Sequence, residues 1–431
     1  MRRTIIGLLA TMLLLAACGS SEDDATASGD DSTTAIVEES TASGASDAVG
    51  DGDAGAEGAG RSASAPAAAE FEASADEAGG DTGSTAPVEV GLRAGSVDDN
   101  ELWEAYLRYR EAFATLGIPF DDLPVEGRRM LTVVDDDGVP VHDAVVRITG
   151  DGVDTTLRTG TDGRAVFLAP PGAVDDQQSA ATFAAAVTHG ESTTTTDIGN
   201  EPAQTITLDD VDHAGDVKLD VLFLVDATGS MGDEIERLKA NMVGVAEKIS
   251  ESPSAPDVRF GLTSYRDTTD DYVARTVDFT ADVDGFVESL RGLVADGGGD
   301  TPEALNEAFA QAVSEPRWRT DDDVVRLVFL IADAPPHIGR GTSYVDSIGA
   351  AAQAGIRVFP IASSGTDDQA EYVLRQIAQA TLGRFVFLSY GADGAALGSE
   401  SNIDDEDYDV LALDELVVRI VEEELEPLVE R

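Results

Sequence analysis

Three oxygen-bearing side chains stand at alternate positions where an apolar run ends. Asp226, Thr228 and Ser230 follow the run Val221–Val225. Such a run predicts a buried parallel strand, and ligand sites in parallel sheets lie beyond the carboxyl ends of the strands. A carboxylate with two hydroxyls is an all-oxygen set that suits Mg²⁺ or Mn²⁺ rather than a soft metal. The alternative is structural: Asp226 begins the loop and a hydroxyl caps the helix predicted after it.

Two further segments also predict oxygen ligands at strand ends. The largely apolar run Val325–Ala332 ends at Asp333, and the glycine-rich segment Gly297–Leu305 contains Asp300 and Thr301. Thr301 could approach a metal directly or through water, and Asp300 could instead orient a water. A Thr followed by Pro is also typical of a helix N-cap with Pro at the first helical position, so the structural interpretation stays open.

In their order and chemistry, these segments resemble the metal-ion-dependent adhesion site of von Willebrand factor type A (VWA) domains. The second segment departs from the family pattern, because many relatives place a Thr directly after the glycines, whereas Gly299 is followed by Asp300. The resemblance implies Mg²⁺ or Mn²⁺, with Ca²⁺ as a further option, and one metal position left for a partner's carboxylate. It assigns the metal to Asp226, Thr228, Ser230 and Asp333, and either Asp300 or Thr301 would complete the site from the second segment.

Three more polar residues fall in neighbouring predicted loops. These residues are Asp267, Asp296 and His337. We interpret them as solvated loop residues rather than as metal ligands.

The elements that must position these residues alternate between strand and helix patterns over residues 217–431. Alternation of this kind predicts an α/β fold with a doubly wound, mainly parallel, Rossmann-like sheet. Helical spacing is found over residues 233–249, 283–294, 302–313, 344–354, 369–382 and 410–428.

The preceding residues 125–210 carry short strand patterns separated by Asp-Gly turns, which predict a small antiparallel β-sandwich. The turn Thr161–Ala165 resembles turns of carboxypeptidase-regulatory-like or other Ig-like domains. Asp135–Asp137 could hold Ca²⁺, although an Asp-rich turn is usually only a turn. Before this region, residues 88–124 predict an amphipathic helix, which is too short to be stable alone and should dock on a neighbouring domain.

The first residues predict export and anchoring. Residues 1–17 read as a lipoprotein signal peptide, because an apolar run after two arginines closes at Leu15-Ala16-Ala17-Cys18. That sequence resembles a bacterial lipobox, in which Cys18 would be lipidated. Residues 18–87 are acidic and low in complexity, and we expect a disordered tether.

The composition limits the partners. The chain has 83 acidic and 28 basic residues and a formal net charge of −55. This charge disfavours nucleic acid and anionic head groups, so we expect membrane contact through the lipid anchor only. A saline habitat would also favour an acidic surface. The sequence contains no Walker loop, zinc signature or Gly-x-Ser-x-Gly motif, so we do not expect an enzyme.

These patterns together predict an extracytoplasmic, lipid-anchored bacterial surface protein. Its VWA domain would bind a protein partner that supplies a carboxylate to the metal. The alternative is a structural or assembly factor of a cell-envelope complex, in which the same domain docks a subunit.

Overall fold

A computed structural model of the chain describes residues 92–170, 183–213, 217–252, 257–321, 323–389 and 411–429. The predicted signal peptide 1–17, Cys18 and the predicted tether 18–87 lie outside these residues. Among the described helices, none combines the length and the apolar composition that crossing a bilayer requires.

The described part begins with strand β1 (Arg93–Val97) and helix α1 (Trp103–Ala114). The helix was expected from the sequence, and its buried aromatic residues pack on a later helix, with the rings of Phe113 and Tyr372 stacked at 3.9 Å between centroids. The strand was not expected. It joins the large sheet described below, so this segment contributes to that sheet as well as docking on it.

Seven strands follow, in two small sheets whose inner side chains share one hydrophobic cluster. Most of the predicted strands are present, but β2 and β8 pair in parallel, so the expectation of a wholly antiparallel arrangement is wrong. The strand order is β5-β2-β8 in one sheet and β4-β3-β6-β7 in the other. The strands are β2 (Arg128–Val134), β3 (Val145–Gly150), β4 (Val153–Arg158), β5 (Arg164–Leu168), β6 (Phe183–His189), β7 (Ser192–Ile198) and β8 (Ala203–Thr207).

The remaining residues alternate between strands and helices, as the hydrophobic pattern predicts. The strands are β9 (Lys218–Asp226), β10 (Asp257–Tyr265), β11 (Ala274–Thr280), β12 (Val324–Ala332), β13 (Ile356–Ala362), β14 (Phe385–Ser389) and β15 (Leu411–Ala412). The helices are α2 (Ile235–Glu251), α3 (Val283–Arg291), α4 (Leu305–Ser314), α5 (Tyr344–Ala354), α6 (Asp368–Ala380) and α7 (Leu413–Val429).

The large sheet has eight strands in the order β11-β10-β9-β12-β13-β14-β1-β15. Strands β10, β9, β12, β13 and β14 run parallel, and β11, β1 and β15 pair in the antiparallel sense. Alternate residues of β9 face opposite sides, so Phe223 packs with α2, α3 and α7, whereas Leu224 packs with α4, α5 and α6. Helices therefore cover both faces, which confirms the predicted mainly parallel α/β sheet.

Candidate metal centre

The first loop of the site begins at the end of β9, where Asp226 is completely buried. Its Oδ1 accepts hydrogen bonds from the backbone N–H of Thr228 at 2.9 Å and from the Thr228 hydroxyl at 2.7 Å. The Thr228 and Ser230 hydroxyl oxygens lie 3.0 Å apart. The three residues predicted from their alternate spacing are thus joined by one chain of hydrogen bonds.

The third predicted segment reaches the same edge of the sheet. Strands β9 and β12 are parallel neighbours, with Val225 opposite Ile331, so Asp333 follows its strand beside the end of β9. Asp333 is only 7% exposed. Two carboxylate oxygens, Oδ2 of Asp226 and Oδ1 of Asp333, are buried without a hydrogen-bond partner among the described residues.

Burial and mutual repulsion oppose the charges of these two acids. Burial, together with the charge of Asp333, raises the pKa of Asp226 to about 7, although hydrogen bonds from Thr228, together with the nearby Tyr265 hydroxyl, act in the other direction. Burial likewise raises the pKa of Asp333, against a hydrogen bond from Ser230 that lowers it. A bound cation would favour the charged form of both carboxylates, because opposite charge within a few ångströms offsets desolvation.

The second predicted segment is arranged differently from the expectation. Asp300 and Thr301 are both exposed. Helix α4 begins at Leu305 with Ala304 as its N-cap, so the alternative interpretation of Thr301 as a helix cap is wrong. The acid of this segment that is buried is Glu303, with 3% of its surface exposed.

The interpretation of the neighbouring loop residues as solvated is wrong for one of them. Asp267 is 4% exposed and its Oδ1 lies 2.7 Å from Nε2 of His337. The side chain of Asp296 is 74% exposed and lies 3.6 Å from the Arg266 guanidinium. The polar residues that flank Asp267 gave no signal of this burial, because the His337 partner lies 70 positions away in the chain.

Glu303 was also missed by sequence reasoning. An acid directly before the apolar residues of α4 is typical of an exposed first helical turn. The only local signal was its place within the glycine-rich loop, where Gly298 has a positive φ of +68° and so leaves the loop free to turn inward.

The side chains at this edge fit a hard divalent cation. Asp226 and Asp333 offer unpartnered carboxylate oxygens, and Thr228 and Ser230 offer hydroxyl oxygens beside them. Oxygen ligands of this kind suit Mg²⁺, Mn²⁺ or Ca²⁺. In the described part of the chain, no three side chains of His, Cys, Asp or Glu converge to hold one ion. A metal here would therefore depend on the hydroxyls as well as on the acids.

Comparison with known proteins assigns the surrounding domain. The sequence model of the von Willebrand factor type A domain matches residues 220–394, so this part of the chain is a VWA domain. The alpha-protein kinase vwkA of Dictyostelium discoideum is 34% identical over 134 residues, which are 29% of this chain and 19% of that protein. The von Willebrand factor A domain-containing protein 7 of Homo sapiens is 32% identical over 126 residues, which are 29% of this chain and 13% of that protein.

The chain therefore spans a fifth or less of the length of these two relatives. Among solved structures, protein BatB from Bacteroides thetaiotaomicron is 17% identical, and the match covers 48% of this chain and 99% of that one. The TM-score of that match is 0.35, which is too low to support a conclusion about fold.

Proposed function

We propose that this protein binds a protein partner through a divalent cation held at the C-terminal edge of its large sheet. VWA domains generally mediate protein–protein interaction, and the domain at residues 220–394 supplies the setting. The observation that carries the proposal is the pair of buried carboxylate oxygens, on Asp226 and Asp333, that lack a hydrogen-bond partner in the described residues. Burying an unpaired carboxylate is costly, which favours a site completed by a cation from solution.

The roles divide between the acids and the hydroxyls. Asp226 and Asp333 would supply the negative charge for Mg²⁺ or Mn²⁺, with Ca²⁺ as a further option, while Thr228 and Ser230 would supply neutral oxygens. Asp300 and Thr301 remain candidate ligands on the side of the metal that the second loop faces. The cation would supply an open position that a carboxylate of the partner can occupy. We propose no catalytic reaction for this site.

The proposed setting is the outer face of a bacterial membrane, with Cys18 as the lipidated residue and no contact with nucleic acid. This rests on Leu15-Ala16-Ala17-Cys18 after a short apolar run. Each buried CH₂ of the lipid would contribute about 0.8 kcal/mol of membrane affinity. Mass spectrometry of the N-terminus tests the anchor: we expect an acylated Cys18, and an unmodified mature N-terminus would contradict it.

Calorimetry on the full chain in detergent tests the metal site. We expect Mn²⁺ or Mg²⁺ to bind at one site and Asp226→Ala to abolish the binding, because the only acid at the end of β9 is removed. Asp271→Ala is the matched control, since Asp271 is an exposed acid in the loop between β10 and β11. Unchanged metal affinity in Asp226→Ala would exclude the proposed ligand set.

The partner's chemistry follows from charge at two ranges. The net charge of −55 repels acidic proteins at a distance, but this repulsion is screened beyond about 8 Å at physiological ionic strength, whereas a direct metal–carboxylate bond is not. The partner should therefore present one acid on a neutral or basic patch. Binding to envelope extract should disappear in chelator at every salt concentration, and salt alone should change mainly the association rate. Full binding in chelator would contradict a role for the metal.

A further inference from the structure

Tyr272, in the loop between β10 and β11, has two arginines over its ring. The guanidinium carbon of Arg275 lies 3.8 Å from the ring centroid, and that of Arg266 lies 4.8 Å from it. Arg266 is buried, and its guanidinium donates to the carbonyl of Val294 at 3.1 Å and lies 3.6 Å from Asp296. Arg275 is exposed. The buried arginine is thus anchored to the protein, and the tyrosine ring links the exposed arginine to it.

Arg275 has no acidic partner, although the chain has 83 acidic and 28 basic residues. No Asp or Glu among the described residues forms an ion pair with it. Exposure does not explain this, because the Arg317 side chain is 89% exposed and still lies 3.0 Å from Asp278 of β11. An arginine stacked on an aromatic ring keeps its in-plane N–H donors available, and their fork matches a carboxylate. Arg275 is therefore oriented for an acid that the described chain does not supply.

Arg275 lies at the same edge of the large sheet as the candidate metal centre. Across three neighbouring strands, Ala274 pairs with Tyr265, and Tyr265 pairs with Asp226. Neighbouring strands are about 4.8 Å apart, so the backbone at the start of β11 lies about 10 Å from the backbone of Asp226. An arginine side chain at this position is therefore within reach of a ligand bound at the metal.

The loop that carries Tyr272 is also fixed to the loops of the metal centre. Oδ2 of Asp270 accepts a hydrogen bond from the backbone N–H of Gly298, in the second loop, at 2.7 Å. The second loop contacts the first in turn, because the N–H of Gly229 donates to the carbonyl of Gly297 at 3.1 Å. The stacked arginine and the metal centre thus belong to one connected set of loops, which would keep their spacing constant.

We infer that Arg275, stacked on Tyr272, is a second carboxylate-binding position beside the metal, so that the protein partner presents two acids about 10 Å apart. One acid would bind the metal, and the other would accept a bidentate hydrogen bond from the guanidinium. The net charge of the chain still requires bases elsewhere on the partner's patch to balance these acids. This inference rests on the proposed function, because the metal places the first acid.

The experiment uses azelate, a straight-chain dicarboxylate that spans about 10 Å, and its monomethyl ester, which keeps only one carboxylate. Binding of each to the Mn²⁺-loaded full chain in detergent is followed by water proton relaxation, which weakens when a carboxylate displaces water from the ion. We expect the wild type to bind azelate more tightly than the ester. In Arg275→Gln this advantage should fall by about 3- to 5-fold, at the upper end of what an exposed ion pair contributes.

Three further variants separate a binding role from a general effect of charge. Tyr272→Leu keeps the arginine but removes the ring that orients it, so part of the azelate advantage should be lost. Arg275→Lys keeps the charge without the planar fork and should also lose part of it. Arg108→Gln is the matched control, because it removes an exposed arginine of α1, and it should behave like the wild type.

The outcomes separate the second carboxylate position from the proposed function. If the wild type binds no Mn²⁺, or if neither ligand displaces water from the bound ion, the proposed function itself fails. If the ester binds but azelate has no advantage in the wild type, or if Arg275→Gln retains that advantage, the second position is overturned while the metal site stands. An equal loss in Arg108→Gln would overturn it as well, because the effect would then come from net charge.

Discussion

At the N-terminal edge of the large sheet, the buried carboxylate of Asp220 is bound by two arginines, whereas at the C-terminal edge the equally buried Asp226 accepts a hydrogen bond from the Thr228 hydroxyl and lies near another acid, Asp333. Both residues belong to β9, six positions apart in the sequence. Asp220 lies 2.6 Å from Arg259 and 3.2 Å from Arg319. The same strand therefore carries one acid that the fold neutralises and one that it does not.

Where the small sheets contact the large sheet, arginines again neutralise buried acids. Arg357, at the start of β13, binds Glu424 of α7 at 2.7 Å and also binds Asp162 in a turn of the small sheets. Asp143, from a loop of the same region, lies 3.0 Å from both Arg326 and Arg158. These ion pairs fasten the small sheets to the N-terminal edge of the large one.

The contrast distinguishes structural acids from site acids by their partners rather than by their burial. A buried charge is tolerated when an opposite charge and hydrogen bonds satisfy it. Arginines meet that requirement at one edge. At the other edge, the carboxylates of Asp226, Glu303 and Asp333 keep oxygens without a partner in the described chain, and under the proposed function a metal ion supplies the missing charge.

The largest effect is expected when one partner of a buried ion pair at the N-terminal edge is removed. Arg357→Met leaves Glu424 buried and uncompensated, and loss of one partner of a buried ion pair costs about 3–5 kcal/mol. The free energy of unfolding from urea titration measures it. The double variant Arg357→Met with Glu424→Gln should recover part of the loss, because the orphaned charge is gone. A wild-type midpoint in Arg357→Met would contradict the structural role of this pair.

A smaller effect is expected when a metal ion binds to the acids at the C-terminal edge, which have no arginine partners. Mn²⁺ at 100 times its Kd should stabilise the folded protein by about 2.7 kcal/mol, because the unfolded chain lacks the site. Thermal unfolding with Mn²⁺ and with chelator gives the shift. Asp226→Ala should show none, and Asp271→Ala should match the wild type. An equal shift in Asp226→Ala would place the stabilising ion elsewhere.

The stability that buried acids contribute at the two edges should also change with pH in opposite directions. In the metal-free protein, the pKa of Asp226 rises from 3.8 to about 7, so its stabilising contribution is full below pH 3.8 and is lost as pH rises towards 7. The pKa of Asp162 is lowered: burial opposes this, but the charges of Arg357 and Arg164 outweigh it. Its contribution is therefore present above pH 3.8 and is lost as pH falls.

The pH prediction is measured as the difference in Tm between wild type and a variant across pH 3–8.5 in chelator. For Asp226→Asn, the wild type should lose stability relative to the variant as pH rises. For Asp162→Asn, the wild type should lose it as pH falls. Differences with the same sign for both variants would mean that the two edges do not differ in this way.

The smallest effect is expected at an ion pair that belongs to neither edge. Arg147 and Asp154 lie 2.8 Å apart, and each side chain is 60% exposed. Solvent already satisfies both charges, so Arg147→Gln should leave the urea midpoint unchanged within error. A loss comparable to that of Arg357→Met would show that ion-pair count, and not burial, governs the cost.

Hydrophobic periodicity determined much of this protein. The run Val221–Val225 could be satisfied only as a strand buried on both faces, which requires helices on both sides of a parallel sheet. The alternation of β9 between two clusters and the buried stripe of α7 both follow from that pattern. The placing of Asp226, Thr228, Ser230 and Asp333 at one edge follows as well, because parallel strands end on the same side.

Tertiary structure alone decided the features that depend on distant partners. Strand β1 could not be predicted from the sequence. Its five residues form a strand only by pairing with β14 and β15, which come much later in the chain. Glu303 looks like a solvated acid in the sequence, and it is buried only because its loop pairs with Pro336. Charge balance was equally hidden: sequence places Asp220 and Asp226 on one strand, but the fold brings arginines to only one of them.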